Sequence, residues 1–593
     1  MAEPRPYTQA QSIEGVAPAM RYIEDPRQER LFDRYHGLFP PLARRILENG
    51  WQGTFRVAIL ESLPVGKLSE HFHPSLGTPT KELYSMAGLV YLADFHDWNA
   101  QQATEAYMFH TDVQFALNVE PGVQICTRTF DRYQKLFLED DLARQIFENV
   151  TEVLVGKLEL DVSRQRLDST HVFSHMATFG RTKLMAVAIK RFLVQVKRHN
   201  PDAYTALPEA LRLRYELAQS QLFGDATDAE KRQRSRQQAA EDLLWVIEHF
   251  ADQPTMTSRQ SYKALLTIFS QQCEVVEGKV TVRDKTGGNC MQNPSDPDAT
   301  YDGHKGPGYQ VQITETCGSE NEVQLITAAL PQTACEPDEG ALVPMLDQLK
   351  KADLLPESML GDTLYTNDEN VQAAAEFGVD LIGPVPGRAQ EITAGALTID
   401  DFAVDERTGI VGACPAGHQP LSCIYDEQTA KTKLEMPAGA CAACPFRNQC
   451  PIVNTDEGRY VLEYTDKKRR LAARRREQET DVFKQQYAMR SGIESTNSGL
   501  KNRLGLGQLR VRGRGSVFRV IWHKLAGWNV LRAAASTKLR AWVAEQMART
   551  LKKSESAPFG TSFGALLRPT RHRRHVFRSA WPPSDTLRPL QAA

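Results

Sequence analysis

The order of strand-like and helix-like segments between residues 157 and 387 limits the fold more than any other feature. Three stretches alternate between apolar and polar side chains, which predicts β structure, and the first of them is a strand or a hairpin that ends at Asp168. They cover residues 157–172, 309–316 and 321–330. Four more elements follow. They are a helix within residues 337–352, a strand within 359–362 that ends at Asp362, a helix within 363–378 that is capped by Gly378, and a last strand within 379–387. This order indicates an α/β layer built around a mixed sheet.

The length and composition are those of a multidomain protein that folds in water. At 593 residues the chain is too long for one core, so roughly two to four domains are expected. It is 41% hydrophobic and 24% charged, and it has no run of about 18 apolar residues that could cross a membrane. The N-terminal residues MAEPRPYTQAQ lack the pattern of a signal peptide. We therefore expect a cytoplasmic protein without a membrane partner.

Charge is distributed unevenly along the chain. The net charge is −2, yet the segment from Asp466 to the C-terminus holds 28 Lys and Arg residues against eight Asp and Glu residues. A basic segment on an otherwise acidic chain favours a polyanionic partner such as DNA. The last part of it, Arg568–Arg578, is equally consistent with a solvated, disordered tail.

The patterns divide the chain into five parts. They are an irregular N-terminus (1–25), a helical N-terminal domain (26–156), an α/β domain (157–385 plus 481–545) with a helical insert at about 172–290, a Cys-rich insert (386–480) and a basic flexible tail (546–593). In the helical domain, Asn99 is placed to cap the second of two adjacent helices. That pair could form a helix-turn-helix that contacts DNA, or part of a plain helical bundle.

Four residues near the C-terminus share one stripe of a predicted helix that starts at about Asp481. Tyr487, Arg490, Glu494 and Lys501 lie at roughly 0°, 300°, 340° and 320° around its axis. A carboxylate, two cations and a phenol on one stripe are unlike a core face. They suit a surface that holds a metal ion and binds phosphate.

Two further carboxylates, Asp168 and Asp362, are expected at the ends of strands, where ligands bind in open α/β sheets. Phosphodiester chemistry commonly needs carboxylates from separate elements to hold two metal ions, and Mg²⁺ prefers oxygen ligands. Arg490 would then bind the DNA backbone as a bidentate fork and Lys501 as a point charge. The alternatives are an ordinary capping role for each Asp and a surface ion pair between Arg490 and Glu494.

The chain resembles the bacterial insertion-sequence transposases of the DDE type. Their signature Y-x2-R-x3-E-x6-K is present as YAMRSGIESTNSGLK, and the sequences RLDSTHV, GDTLYTNDEN and SDPDATYDGHKGPGYQVQITET also resemble the family, over about residues 25–535. The resemblance implies an RNase H-like catalytic fold, with the first Asp on the first strand and the second after the fourth. It implies that Asp168, Asp362 and Glu494 form the catalytic triad and hold two Mg²⁺ ions, for which Mn²⁺ could substitute.

The resemblance also implies an activity and its partners. The enzyme would bind double-stranded DNA at its terminal inverted repeats, hydrolyse the element ends and transfer them to target DNA as a homodimer in the bacterial nucleoid. A nuclease without strand transfer and a catalytically silent DNA-binding derivative are the alternatives. Asp168 and Asp362 are 194 residues apart, so an insert must separate early strands. Asp296 and Asp298 are rivals to Asp168 in the loop between them.

Cysteines cluster in the second insert. Cys414, Cys441, Cys444 and Cys450 provide four thiolates, the number that a structural Zn²⁺ accepts in a zinc ribbon. Cys423 or His418 could replace one of these ligands. Reduced, unligated thiols or a disulfide are the alternatives.

A basic, glycine-rich segment follows Lys501. Its arginines suit a loop that lies along a DNA backbone, with a solvated face as the alternative. They are Arg503, Arg510, Arg512, Arg514 and Arg519. Trp522 and Trp528, in the apolar helix that follows, are expected to pack in the core rather than stack on bases.

Overall fold

The computed structural model of the protein describes residues 21–24, 26, 35, 38–218, 221–223, 228–387, 396–405 and 408–556. The predicted irregular N-terminus lies almost wholly outside the described residues, as does the basic stretch Arg568–Arg578. Within the described part of the chain, no helix is both long and apolar enough to cross a membrane.

A helical bundle precedes the sheet. It comprises α1 (Pro41–Asn49), α2 (Trp51–Thr54), α3 (Val65–Glu70), α4 (Leu83–Phe95), α5 (Ala100–Phe109), α6 (Thr111–Ala116), α7 (Thr127–Glu139) and α8 (Leu142–Leu158). Asn99 caps α5 through a reciprocal pair of hydrogen bonds with Gln102, as the sequence predicted. Twelve of the thirteen residues of α4 are buried, so α4 is the central helix of this bundle.

The predicted mixed sheet is present. Its strands are β1 (Arg164–Val172), β4 (Thr300–Asp302), β5 (Gly306–Thr316), β6 (Ile326–Thr333), β7 (Ser358–Leu360) and β8 (Asp380–Ile382). They lie in the order β6-β5-β1-β7-β8, and β4 pairs with the start of β5. The pairs β1–β5 and β5–β6 are antiparallel, whereas β1–β7 and β7–β8 are parallel. The parallel pairs are connected through helices α15 (Leu342–Lys351) and α16 (Asp368–Glu376).

The first strand begins and ends later than the sequence predicted, because α8 continues to Leu158 and β1 starts only at Arg164. Asp168 lies in the middle of β1 and not at its end, because β1 pairs with β5 from Gln165 as far as Val172. Alternation along β1 directs its side chains to opposite faces of the sheet. Leu167 packs against α15 on one face, whereas Val172 packs in the core shared with the bundle on the other.

Two inserts interrupt the sheet. The first contains α9 (Arg181–His199), α10 (Pro201–Thr205), α11 (Glu209–Glu216), α12 (Ala229–Phe250), α13 (Pro254–Thr257), α14 (Gln260–Gln272) and a hairpin of β2 (Cys273–Val276) and β3 (Lys279–Val282). The second contains β9 (Ala403–Val404), β10 (Val411–Ala413), β11 (Ser422–Asp426), β12 (Lys431–Met436), α17 (Ala438–Ala442), β13 (Val453–Asn454), β14 (Tyr460–Tyr464) and α18 (Asp466–Gln478). Each has its own small hydrophobic core.

The C-terminal helices differ from the prediction in two ways. The expected single stripe helix is three consecutive segments, namely α19 (Asp481–Ala488), a 3₁₀ turn (Met489–Ser491) and α20 (Gly492–Asn502). They are followed by α21 (Arg514–Ala534) and α22 (Thr537–Ser556), so the start of the predicted flexible tail at residue 546 is wrong. Trp522 and Trp528 are buried, as predicted.

Candidate active site

Three carboxylates from distant parts of the chain meet around the guanidinium of Arg490. Its Nη2 atom lies 3.2 Å from Oδ1 of Asp168 and 3.7 Å from Oδ2 of Asp362. Its Nη1 atom lies 3.7 Å from Oε1 of Glu494. The predicted triad therefore converges, with Arg490 between its members.

Each carboxylate is held by a different element. Asp168 projects from β1, where Nδ2 of Asn497 on α20 donates to its Oδ2 over 2.9 Å. Asp362 lies in the turn after β7, and its Oδ1 accepts from the amide of Leu364 over 2.8 Å. Glu494 lies in the first turn of α20 and is 70% exposed, compared with 15% for Asp168 and 31% for Asp362. The site is thus buried on the strand side and open on the helix side.

A buried ion pair fixes α20 against the sheet. Arg166 on β1 donates from Nε and Nη2 to Oε2 of Glu315 on β5, over 2.8 and 2.5 Å. Arg166 also donates to the main-chain oxygen of Met489, and Thr496 donates to the other oxygen of Glu315 over 2.6 Å. These bonds hold both ends of the segment that carries Arg490 and Glu494, and so they position the site without entering it.

The start of α20 needs a glycine for this contact. A Cβ atom at Gly492 would lie 2.0 Å from Nη1 of Arg166, so any side chain there would displace the guanidinium. Gly499 similarly lets Trp528 of α21 reach α20, since a Cβ atom would lie 2.2 Å from the indole ring. Close packing on both sides thus fixes the axis of α20.

Electrostatics at Asp168 favour a cation. Burial raises the pKa of Asp168, the charge of Arg490 opposes that rise, and the neighbouring carboxylates of Asp362 and Asp338 add to it. The site therefore concentrates negative charge in a partly buried position, and a cation placed there relieves the repulsion.

Cations and a phenol surround the carboxylates. Burial and the charge of Lys305 lower the pKa of Lys501, whose charge also interacts with Asp168. Lys305 donates to Oγ of Ser169 over 3.1 Å and lies 3.6 Å from Asp338. Tyr487 stacks on Phe483, and its pKa is raised by burial and by the nearby triad. The four residues of the predicted stripe therefore all border the site, although the helix bearing them is interrupted.

The predicted DNA-binding arginines divide into two groups. Arg503, Arg510, Arg512 and Arg514 are exposed on or beside the loop between α20 and α21. This loop is hydrogen-bonded to residues 173–175 after β1 through main-chain atoms of Gly507, Leu509 and Val511. Arg519 is 6% exposed and paired with Asp94, so its predicted DNA contact is wrong.

The rival carboxylates do not join the triad. Asp296 is fully buried, and its two oxygens accept hydrogen bonds from Ser174 and Tyr309 over 2.6 and 2.5 Å. Asp298 is exposed in the same loop. Five further residues of the site were not predicted from the sequence, namely Arg166, Glu315, Asn497, Lys305 and Asp338. Polar residues inside predicted strands, such as Arg166 and Glu315, were the available signal, since buried charges require partners.

The predicted zinc ligands line one small cavity. It measures about 20 Å³ and is bordered by Cys414, Cys441, Cys444, Cys450 and His418, but not by Cys423. All ten cysteines of the chain are described, and each is a free thiol. Among the residues that the structure describes, however, no group of three or more His, Cys, Asp or Glu side chains is arranged to hold a metal ion. At the triad, the guanidinium of Arg490 lies between the three carboxylates.

Comparisons with known proteins identify part of this region. No curated protein matches the chain. A cryo-EM structure of the piggyBac transposase synaptic complex with hairpin DNA aligns with 71% of this chain and 82% of that chain, at 9% identity and a TM-score of 0.19, which is too low to establish a shared fold. Residues 413–534 match the family model described as a transposase DDE domain. That range contains Arg490, Glu494 and Lys501, so the C-terminal side of the candidate site is similar to a transposase DDE domain.

Proposed function

We propose that this protein is the DNA transposase of a bacterial insertion sequence. It binds double-stranded terminal inverted repeats, frees the 3′ ends of its element and joins them to target DNA. The observation that carries the proposal is the convergence of Asp168, Asp362 and Glu494 around Arg490. The match of residues 413–534 to a transposase DDE domain supports it. We place the reaction in a catalytic unit formed by residues 157–385 and 481–545, within the bacterial cytoplasm.

The fold supports an RNase H-like assignment for that unit. The five strands follow the order β6-β5-β1-β7-β8, with antiparallel pairs on one side of β1 and parallel pairs on the other. Asp168 lies on the first of these five strands in chain order and Asp362 directly after the fourth. This is the placement implied by the resemblance to DDE transposases.

The carboxylates fit a divalent metal by their chemistry. Three acidic oxygen donors face one position that a cation already occupies in the form of the Arg490 guanidinium, and Mg²⁺ prefers such donors. Two bound Mg²⁺ ions, or Mn²⁺, would activate the attacking oxygen and stabilise the leaving oxygen. Asp168, Asp362 and Glu494 would hold these ions once Arg490 has withdrawn.

The residues around the triad orient the DNA. In the first step water attacks the phosphorus at the element end, and the bond to the 3′ oxygen breaks, which leaves a 3′-hydroxyl and a 5′-phosphate. In the second step that hydroxyl attacks a target phosphorus and displaces a target 3′ oxygen. Lys501 and Lys305 neutralise the phosphate on the open side of the site, and Arg490 moves from the carboxylates to the phosphate.

Replacing Arg490 with Gln should strengthen metal binding in the absence of DNA. The guanidinium competes with a divalent ion for the same carboxylates, so its removal should tighten Mn²⁺ binding at least about tenfold, which corresponds to about 1.4 kcal/mol. Titration of free Mn²⁺ followed by electron paramagnetic resonance measures this directly. Lys484→Gln, an exposed charge change on α19, is the matched control. Equal Mn²⁺ affinities for the two variants would contradict the competition.

We also propose a structural Zn²⁺ held by Cys414, Cys441, Cys444 and Cys450. It is supported by the cavity that all four cysteines line, because Zn²⁺ accepts four thiolates in a structural site. Protein purified without chelator should contain about one zinc per chain by elemental analysis, and Cys444→Ser should reduce that content and unfold the second insert. Cys423→Ser is the control because Cys423 does not line the cavity. A zinc-free wild-type protein would contradict this proposal and would indicate that the four cysteines are reduced, unligated thiols.

Incubation with the DNA that flanks the element tests the function itself. With Mg²⁺, the protein should cut at the terminal repeats and join the freed 3′-hydroxyl to a plasmid, and sequencing of the products maps both positions. Joined products should contain two ends per event, since the proposal involves a homodimer. Cleavage without joining would indicate a nuclease, and binding without cleavage a silent derivative.

A further inference from the structure

The first insert contains a basic cavity away from the triad. It measures about 560 Å³ and lies between α9 and the start of α14. The residues that line it are Val187, Lys190, Arg191, Val194, Gln195, Arg259, Gln260 and Ser261. All of these belong to the described part of the chain, and three are cations while none is acidic. Val194 is 45% exposed, so the cavity opens to solvent.

Two polar atoms on residues that line this cavity have no hydrogen-bond partner among the described residues. They are Nε of Arg259 and Oγ of Ser261, and both are buried. Buried donors of this kind are normally satisfied, so each calls for a partner that protein atoms do not supply. Lys190 donates to the main-chain oxygens of Glu216 and Leu217, and one of its three N–H bonds remains available.

The cavity also adjoins the basic loop that leaves the candidate active site. The guanidinium of Arg191 is close enough to that of Arg512 for their charges to repel, and burial together with this repulsion lowers the pKa of Arg191. Arg191 also donates to Ser295, in the loop that leads to β4 and Lys305. The loop of Arg512 is also hydrogen-bonded through its main chain to residues 173–175, which precede α9 in the chain.

We infer that Lys190, Arg191 and Arg259 form a second binding site for the DNA phosphate backbone. The inference rests on the proposed function. Phosphate oxygens would accept from the charged ends of Lys190, Arg191 and Arg259, and the three charges would release counterions from the duplex. Arg512 connects this site to the cleft, so one duplex end can contact both. The insert thereby holds the DNA beyond the point of cleavage, and its contribution should depend on duplex length.

The test compares two triple variants of the full-length protein. Lys190→Ala, Arg191→Ala and Arg259→Ala together remove the site, whereas Lys231→Ala, Arg232→Ala and Arg234→Ala remove the same charge from the exposed start of α12. Binding to a long terminal-repeat duplex is measured over a range of salt concentrations with EDTA present. A short duplex that ends a few base pairs from the cut is measured in parallel, and circular dichroism checks that both variants fold.

The site variant should bind the long duplex at least tenfold more weakly than the α12 variant. For the site variant, the slope of log K against log salt concentration should be shallower by about 2.7, because three phosphate contacts are lost and each contributes about 0.9. Binding of the short duplex should be unchanged, and phosphate-ethylation interference far from the cut should disappear. Equal binding by the two variants, or an equal loss on both duplexes, would overturn the inference. A wild-type protein that binds neither duplex would instead overturn the proposed function.

Discussion

Replacing Asp362 with Asn is expected to abolish end cleavage and leave DNA binding intact. The amide keeps the size of the side chain and can still accept from the amide of Leu364, but it removes one of the three negative charges that face Arg490. Loss of a metal-holding carboxylate should reduce cleavage at least about 10³-fold, or about 4 kcal/mol in the barrier. Cleavage of a labelled terminal repeat and a gel-shift titration of the same duplex measure the two effects.

Asp298→Asn is the matched control for this prediction. Asp298 is one of the two carboxylates that the sequence offered as rivals to Asp168, and it lies exposed in the loop before β4. The control variant should cleave like the wild type. Full cleavage by Asp362→Asn would remove Asp362 from the triad. A loss of cleavage in the Asp298 variant would indicate that the loop before β4 contributes a carboxylate to the site.

Replacing Asp94 with Ala should lower the free energy of unfolding more than the other substitutions proposed for this protein. Asp94 is 6% exposed and accepts from Nε and Nη2 of Arg519 over 2.8 and 3.0 Å, and Nδ1 of His523 lies 2.7 Å away. The substitution leaves the buried guanidinium of Arg519 without a counter-charge, which typically costs about 3–5 kcal/mol. Urea unfolding followed by tryptophan fluorescence should show an earlier transition.

A double variant separates the missing charge from the missing packing. Combining Asp94→Leu with Arg519→Met removes both charges, and replacement of a buried ion pair by apolar side chains is often neutral. The double variant should therefore recover most of the stability lost in Asp94→Ala. If it were as unstable as the single variant, packing and not the buried charge would be responsible.

The same pair predicts acid sensitivity. Burial would raise the pKa of Asp94, but the charge of Arg519 and the hydrogen bond from His523 outweigh it and lower the pKa from 3.8 to about 2. A carboxyl whose pKa is lower in the folded state stabilises the fold above its unfolded pKa. That contribution should be complete above about pH 4 and disappear as the pH falls towards 2. The double variant, which lacks the carboxyl, should lose less stability across this interval.

This buried pair matters to the site because α21 connects the bundle to the sheet and to α20. Arg519 and His523 attach α21 to α4, and Lys524 lies 2.9 Å from Asp97. Farther along α21, Asn529 exchanges hydrogen bonds with the main chain of Ile326 on β6. Trp528 packs on Gly499 of α20. Loosening the bundle should therefore loosen the helix that bears Glu494.

The sequence predicted secondary structure best where it depends on neighbouring residues in the chain. Alternation along residues 309–316 falls within β5, and Asn99 caps α5 as expected. The stretch 321–330 overlaps β6 only in part, because β6 covers Ile326–Thr333. The end of β1 was misplaced because pairing with β5 continues past Asp168, and a strand's length depends on its partner. The 3₁₀ turn at Met489–Ser491 also escaped prediction, since the contact of Arg166 with Met489 comes from a strand more than 300 residues away.

The sequence by itself determined the order of strands and helices, the four-residue signature and the carboxylates that were candidates for the site. These features depend only on residue type and on the spacing of side chains within short segments. Only the tertiary structure decided that Asp168, Asp362 and Glu494 face one cation, that Arg519 belongs to the core, and that the first insert adds its own basic cavity. These outcomes depend on which distant surfaces pack together and which buried charges find partners. Such choices are made by the whole chain and not by any segment of it.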